Sequence, residues 1–123
     1  MIKVVIKFQD DNIIAVDIKG HAVRDAEAVI IGEAYDMVCN SVSVLSQSLL
    51  IGLESVLKIN CSYEIYDGYI SLDLSDIEKE ELLKAQVLLK TFELSLESIM
   101  ISLEQSFGKN KRDKYIFLLK EEV

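Results

Sequence analysis

Residues 2–19, IKVVIKFQDDNIIAVDIK, decide the fold. Ile2, Val4, Ile6 and Phe8 alternate with Lys3, Val5 and Lys7, the period of a strand with one better-buried face. Asp10-Asp11-Asn12 supplies turn residues. Ile13 to Lys19 is again β-rich, so the stretch reads as a hairpin that Gly20 ends. Residues 21–36 carry no clear period and read as a connecting loop with a transient helical turn around 24–31, which Gly32 terminates. Residues 37–58 then place Val38, Val42, Leu45, Leu49, Leu53 and Val56 or Leu57 at steps of three and four, the apolar stripe of a packed helix. Asp36 stands where its N-cap belongs.

Farther along, Ser62–Ile65 and Tyr69–Leu74 flank Tyr66-Asp67-Gly68, and Asp-Gly between β-rich runs signals a second hairpin. Ser75-Asp76 offers the cap for a second helix over residues 77–106. Its core face is Leu82, Val87 or Leu88, Phe92, Leu96, Ile99 and Leu103, and Gly108 closes it. Residues 114–119 read as a last strand. The order ββαββαβ predicts an α+β fold: one mainly antiparallel sheet with two long helices packed on one face. At 123 residues the chain is expected to be a single domain, 1–123.

Composition narrows the function classes. Half the residues are hydrophobic and 28% are charged, a globular balance rather than a disordered one. The formal charge of −8 repels nucleic-acid phosphates and anionic lipids, and favours a basic partner. No direct nucleic-acid binding and no membrane span are expected, since every apolar run is broken well before ~18 residues. Met1 runs directly into a strand pattern without a secretory leader, so a cytoplasmic location with two reduced thiols is expected. Cys39 and Cys61 lack metal-ligand spacing, and one histidine does not complete a zinc site with them. No cofactor or metal is expected.

One stretch holds the ingredients of covalent chemistry. It contains the sole histidine, His21, at a strand exit, and Cys39 three residues after the proposed cap Asp36. In a helix's first turn, unpaired N–H groups and the positive end of the dipole favour a thiolate, and the same groups can hold an oxyanion. An imidazole nearby accepts the thiol proton and later protonates the leaving amine. Taken alone, each residue has a plainer account: a helical cysteine is more often a small buried hydrophobe, and a histidine after a strand a loop residue. Cys61 starts a strand without an imidazole nearby in sequence and reads as structural. Ser41, Ser43, Ser46 and Ser48 read as packing or carbonyl-capping residues. Lys109–Lys114 reads as a short basic cluster, and Tyr63, Tyr66 and Tyr69 as cross-strand aromatics at a hairpin tip.

Gly20-His21-Ala22, followed by Asp36-Met37-Val38-Cys39-Asn40-Ser41-Val42-Ser43, resembles the signature of the ribosomal-processing cysteine proteases. That signature is a GHA tripeptide, a Gly-containing loop, then D-x-V-C-x-x-V-S opening a helix. The loop between His21 and Cys39 is longer than the family usually carries, and Asn40 stands where a small Ala commonly follows the cysteine. The resemblance implies that His21 is the catalytic histidine and Cys39 the nucleophile. It also implies a homodimer whose substrate is the precursor of large-subunit ribosomal protein twenty-seven, from which a short N-terminal extension is removed. A noncatalytic ribosome-associated binding module on the same scaffold is the alternative, and a redox-sensing thiol protein a third.

Overall fold

The computed structural model describes residues 1–20, 33–66 and 68–123, for residues 33–37 and 111 by their backbone alone. His21, the connection through residue 32 and Asp67 of the second turn therefore lie outside the described residues. The elements are β1 (Ile2–Gln9), β2 (Asn12–Lys19), α1 (Glu33–Ile51), β3 (Ser62–Tyr66), β4 (Tyr69–Asp73), α2 (Lys79–Phe107), α3 (Lys109–Tyr115) and β5 (Ile116–Glu122).

The sheet order is β3-β4-β2-β1-β5. All pairs are antiparallel except β1 with β5, which run parallel. The expected architecture is therefore present: a mainly antiparallel sheet and two long helices. Ile2, Val4 and Ile6 of β1 are fully buried and join Val16, Ile18, Ile70, Leu72 and Ile116 in one core with Val42, Leu53, Leu89 and Leu96 of the helical layer. This is the alternation read from residues 2–19, and it sets which face of the sheet the helices cover.

The β1–β2 turn is tight, with Asp10 at φ 52° and Asp11 at φ 66°. Two positive φ values in a two-residue loop match the right-handed twist of the strands, and aspartate tolerates them. A bulge follows: Phe8 faces Ile13 and Lys7 faces Ala15, so Ile14 is the extra residue. Ile13 and Ile14 are both buried, so backbone groups displaced from the ladder need other partners. Gln86 of α2 supplies them. The Ile13 N–H donates to Gln86 Oε1 at 2.7 Å, and Gln86 Nε2 donates to the Ile13 carbonyl at 2.9 Å. The Leu74 N–H donates to the Ile14 carbonyl at 2.8 Å.

Four local expectations are corrected. The first helix is already helical at Glu33, so Asp36 lies inside it and is not its N-cap. Its C-terminal end widens into a π-helical turn, Gly52–Val56, rather than continuing as α-helix. The second helix begins at Lys79 after Glu78, and no side chain caps it; the polar turn before it is instead closed by Asp73 Oδ1 accepting from the Ser75 N–H at 2.9 Å. The basic run Lys109–Tyr115 is a short helix, α3, held to α2 by the Arg112–Glu104 ion pair at 3.0 Å. Gly108 at φ 86° breaks the two helices apart, as its reading as a helix end anticipates. At the far edge, Lys120 of β5 pairs with Glu93 at 3.2 Å and with Glu97.

Candidate active site

β2 ends beside the hairpin tip of β3 and β4: the Gly20 N–H donates to the Gly68 carbonyl at 2.7 Å. Gly20 has φ +90°, and a Cβ placed there would sit 2.5 Å from the Met1 carbonyl oxygen. Only glycine meets both demands, positive φ and backbone contact. The glycine of the Gly20-His21-Ala22 tripeptide thus has a physical reason: at the end of β2, immediately before His21, the backbone needs a positive φ and lies against the Met1 carbonyl. Gly20→Ala is expected to cost roughly 1–3 kcal/mol and to lower peptidase activity, because the backbone leading into residue 21 has to move. A urea midpoint and a cleavage rate measured on the same variant check this; unchanged values for both contradict it.

Cys39 lies in the second turn of α1, which is helical from Glu33. Its N–H is therefore within the intrahelical ladder, and Cys39 does not stand among the unpaired first-turn N–H groups as expected. The side chain points to the core and is 7% exposed, between Val38 and Val42 of the same buried stripe. Asn40 and Ser41, one and two positions on, are exposed. They turn outward onto a groove between α1 and α2, where Asn40, Ser41 and Val44 face Ser95, Ser98 and Ile99. The groove continues past Val38, Ser102 and Leu103 toward Phe107. Asn40 therefore sits on the groove side of the helix and Cys39 on the core side.

Cys61 precedes β3, and its 8% exposure nearly equals that of Cys39. Burial pushes its thiol pKa up, and the Glu54 carboxylate adds to the shift. The thiol form is held at neutral pH, which supports reading Cys61 as structural. The neighbouring Tyr63 hydroxyl hydrogen-bonds Glu54, which raises its pKa as well. No disulfide joins the two cysteines. Among the described residues, no group of three His, Cys, Asp or Glu side chains is placed to hold a metal ion, and no helix is long and apolar enough to cross a membrane.

Of the α1 serines, Ser46 bonds a backbone carbonyl as the sequence suggests, whereas Ser43 bonds a side chain. Ser46 is buried and its hydroxyl donates to the Val42 carbonyl at 2.7 Å, while Ser43 Oγ accepts from Gln47 Nε2 at 3.3 Å. Tyr66 and Tyr69 are cross-strand partners with ring centroids 6.1 Å apart. Sequence reasoning missed Gln86, whose polar side chain is 6% exposed within the core face of α2. An uncharged amide on an otherwise apolar helix stripe is the signal that marks it.

Comparison with known proteins gives consistent results. A family model described as cysteine protease Prp matches residues 1–109, a span that includes both His21 and Cys39. No curated protein sequence matches the chain. A Streptococcus mutans protein of solved structure superposes with a TM-score of 0.72 at 23% identity, covering 100% of this chain and 96% of that one. The essential ribosomal processing protease Prp from S. aureus, in complex with a substrate peptide, superposes at 0.71 with 20% identity over 98% of this chain and 100% of that one. The same protease carrying a covalently linked product peptide superposes at 0.69, with 21% identity and the same coverage. At these identities the superpositions establish the fold.

Proposed function

The chain belongs to the cysteine protease Prp family, and from that premise we propose that Cys39 and His21 are its catalytic pair, acting on the N-terminal extension of a ribosomal protein. The observation that carries the reading is the family match over both residues, with a glycine required at position 20, immediately before His21. Membership makes the protein a cysteine protease; the pair, the substrate and the assembly are the proposal.

In this mechanism His21 takes the thiol proton of Cys39, and the sulfur attacks the scissile carbonyl carbon. The tetrahedral intermediate collapses as the C–N bond breaks, and the imidazolium gives its proton to the leaving amine. Water then attacks the thioester, His21 accepts its proton, and the C–S bond breaks to release the acid and restore the thiolate. The Cys39 N–H, being intrahelical, is not assigned to the oxyanion.

The substrate is the precursor of large-subunit ribosomal protein twenty-seven. The S. aureus relative, a ribosomal processing protease, binds a substrate peptide, and the basic character of ribosomal proteins suits a chain of net charge −8. A homodimer follows from the same family resemblance, and two cysteines without a disulfide suit a reducing cytoplasm.

The two cysteines provide an internal control for the pair, because their exposures, 7% and 8%, are nearly equal. Different alkylation rates then report activation rather than access. Iodoacetamide at pH 6–7, read by peptide mass mapping, is expected to label Cys39 well before Cys61, and His21→Ala is expected to remove that preference. Equal, slow labelling of both in the wild type supports the noncatalytic binding module instead.

A further inference from the structure

β3 is the outermost strand of the sheet, and Ser62, Tyr63, Glu64, Ile65 and Tyr66 are all exposed. Natural sheets blunt such an edge with lysine, proline or a bulge. Ser62–Tyr66 contains no lysine, arginine or proline, and its register with β4 runs without a shift. Among the described residues, no strand pairs with its outer side. Every second residue of an edge strand turns its N–H and C=O outward, a ready template for one more strand.

The side chains on this edge choose the partner. Ile65 is 56% exposed and Tyr66 is 62% exposed, giving apolar contacts on alternate faces. Around the Cys61 end of the strand, the carboxylates of Glu54, Glu64 and Asp73 line one polar pocket with Asn60 and Ser62. A second copy of this chain pairing antiparallel about the middle of β3 would set Glu64 opposite Glu64, an unfavourable like-charge pair. A lysine- or arginine-rich strand would meet those carboxylates with opposite charge.

We propose that the outer edge of β3 is a docking site for an extended, Lys/Arg-rich segment of the protein substrate, bound as an added strand. This rests on the protease reading, and the geometry gives the segment a direction. The Tyr66 end of β3 lies only one strand, β4, away from the Lys19–Gly20 exit of β2, about 10 Å at ordinary strand spacing. A segment seated on β3 thus has one end near the chain that leads into His21, and the other among the carboxylates.

The test uses the full chain as Cys39→Ala, so that binding is read without cleavage. The ¹⁵N-labelled protein is titrated with the octapeptide (Lys-Val)₄, with (Glu-Val)₄ as the charge-reversed control. The lysine peptide alone is expected to shift the Ser62–Tyr66 amides, and Glu64→Lys to weaken its binding about fivefold to tenfold, as one cross-strand attraction becomes a repulsion. Shifts absent from Ser62–Tyr66, equal binding of both peptides, or a peptide-free dimer that uses β3 would each overturn the site. Absent binding with a wild type that still cleaves its substrate removes the docking site alone. Binding on β3 with no cleavage by the wild type removes the protease reading and keeps a basic-segment binding edge.

Discussion

Cys39→Ala is expected to lower peptide cleavage by at least about 10⁴-fold while the chain remains folded. The loss is large because the alanine variant has no atom to form the thioester, and uncatalysed attack by water on an amide has to replace a two-step route. The fold survives because the change is small in volume. Cys39 sits in the core stripe between Val38 and Val42, and removing one sulfur from such a site costs about 1 kcal/mol. Cys61→Ala, equally buried, is expected to leave the cleavage rate near that of the wild type. Steady-state cleavage and urea unfolding on the two variants check both halves. Retained activity in Cys39→Ala, or loss of activity in Cys61→Ala with a normal unfolding midpoint, contradicts the assignment.

Gln86→Leu is expected to be among the most destabilising single changes, at roughly 2–5 kcal/mol. The leucine fills nearly the same space, so the penalty comes from Ile13, whose N–H and C=O both lose their partner in a buried site. Gln86→Glu separates hydrogen bonding from packing. A carboxylate still accepts from the Ile13 N–H but faces the Ile13 carbonyl without a proton to donate. Burial and that carbonyl raise the folded-state pKa of the new acid above its unfolded value. Stability is then fuller below the unfolded pKa and is lost as pH rises through the folded one. Urea midpoints across pH 4–7 are expected to fall for Gln86→Glu relative to the wild type as pH rises. A Gln86→Leu cost below about 0.5 kcal/mol, within the range of ordinary surface changes, would show that Ile13 finds other partners.

How much of this was legible in the sequence depended on whether a signal was periodic or geometric. The first hairpin and most of the core stripe of both long helices follow from side-chain alternation and stripes, but on α2 the fully buried position is Leu89, while Val87 is exposed and Leu88 only partly buried. Helix ends were harder. Asp36 suggests a cap, but nothing in Glu33-Ala34-Tyr35 opposes a helix, so α1 is already helical before the aspartate. That displacement moves Cys39 from the first turn to the second and removes the helix-start account of its activation. The short helix α3 was invisible because Lys109–Tyr115 has no apolar stripe; it rests on Arg112 reaching back to Glu104. The bulge at Ile14 leaves no trace in a run of apolar residues, so the need for Gln86 appears only when strand and helix meet. His21 and Cys39 are proposed as the pair on their motif, and Gly20 explains part of that motif in backbone terms.

The most direct measurement incubates the purified protein with the same organism's ribosomal protein twenty-seven precursor, carrying its N-terminal extension, and follows the substrate by intact mass, with Cys39→Ala in parallel. The account predicts loss of a short N-terminal piece with the wild type and an unchanged mass with the variant. An unchanged mass with both, or the same cleavage with both, would contradict it.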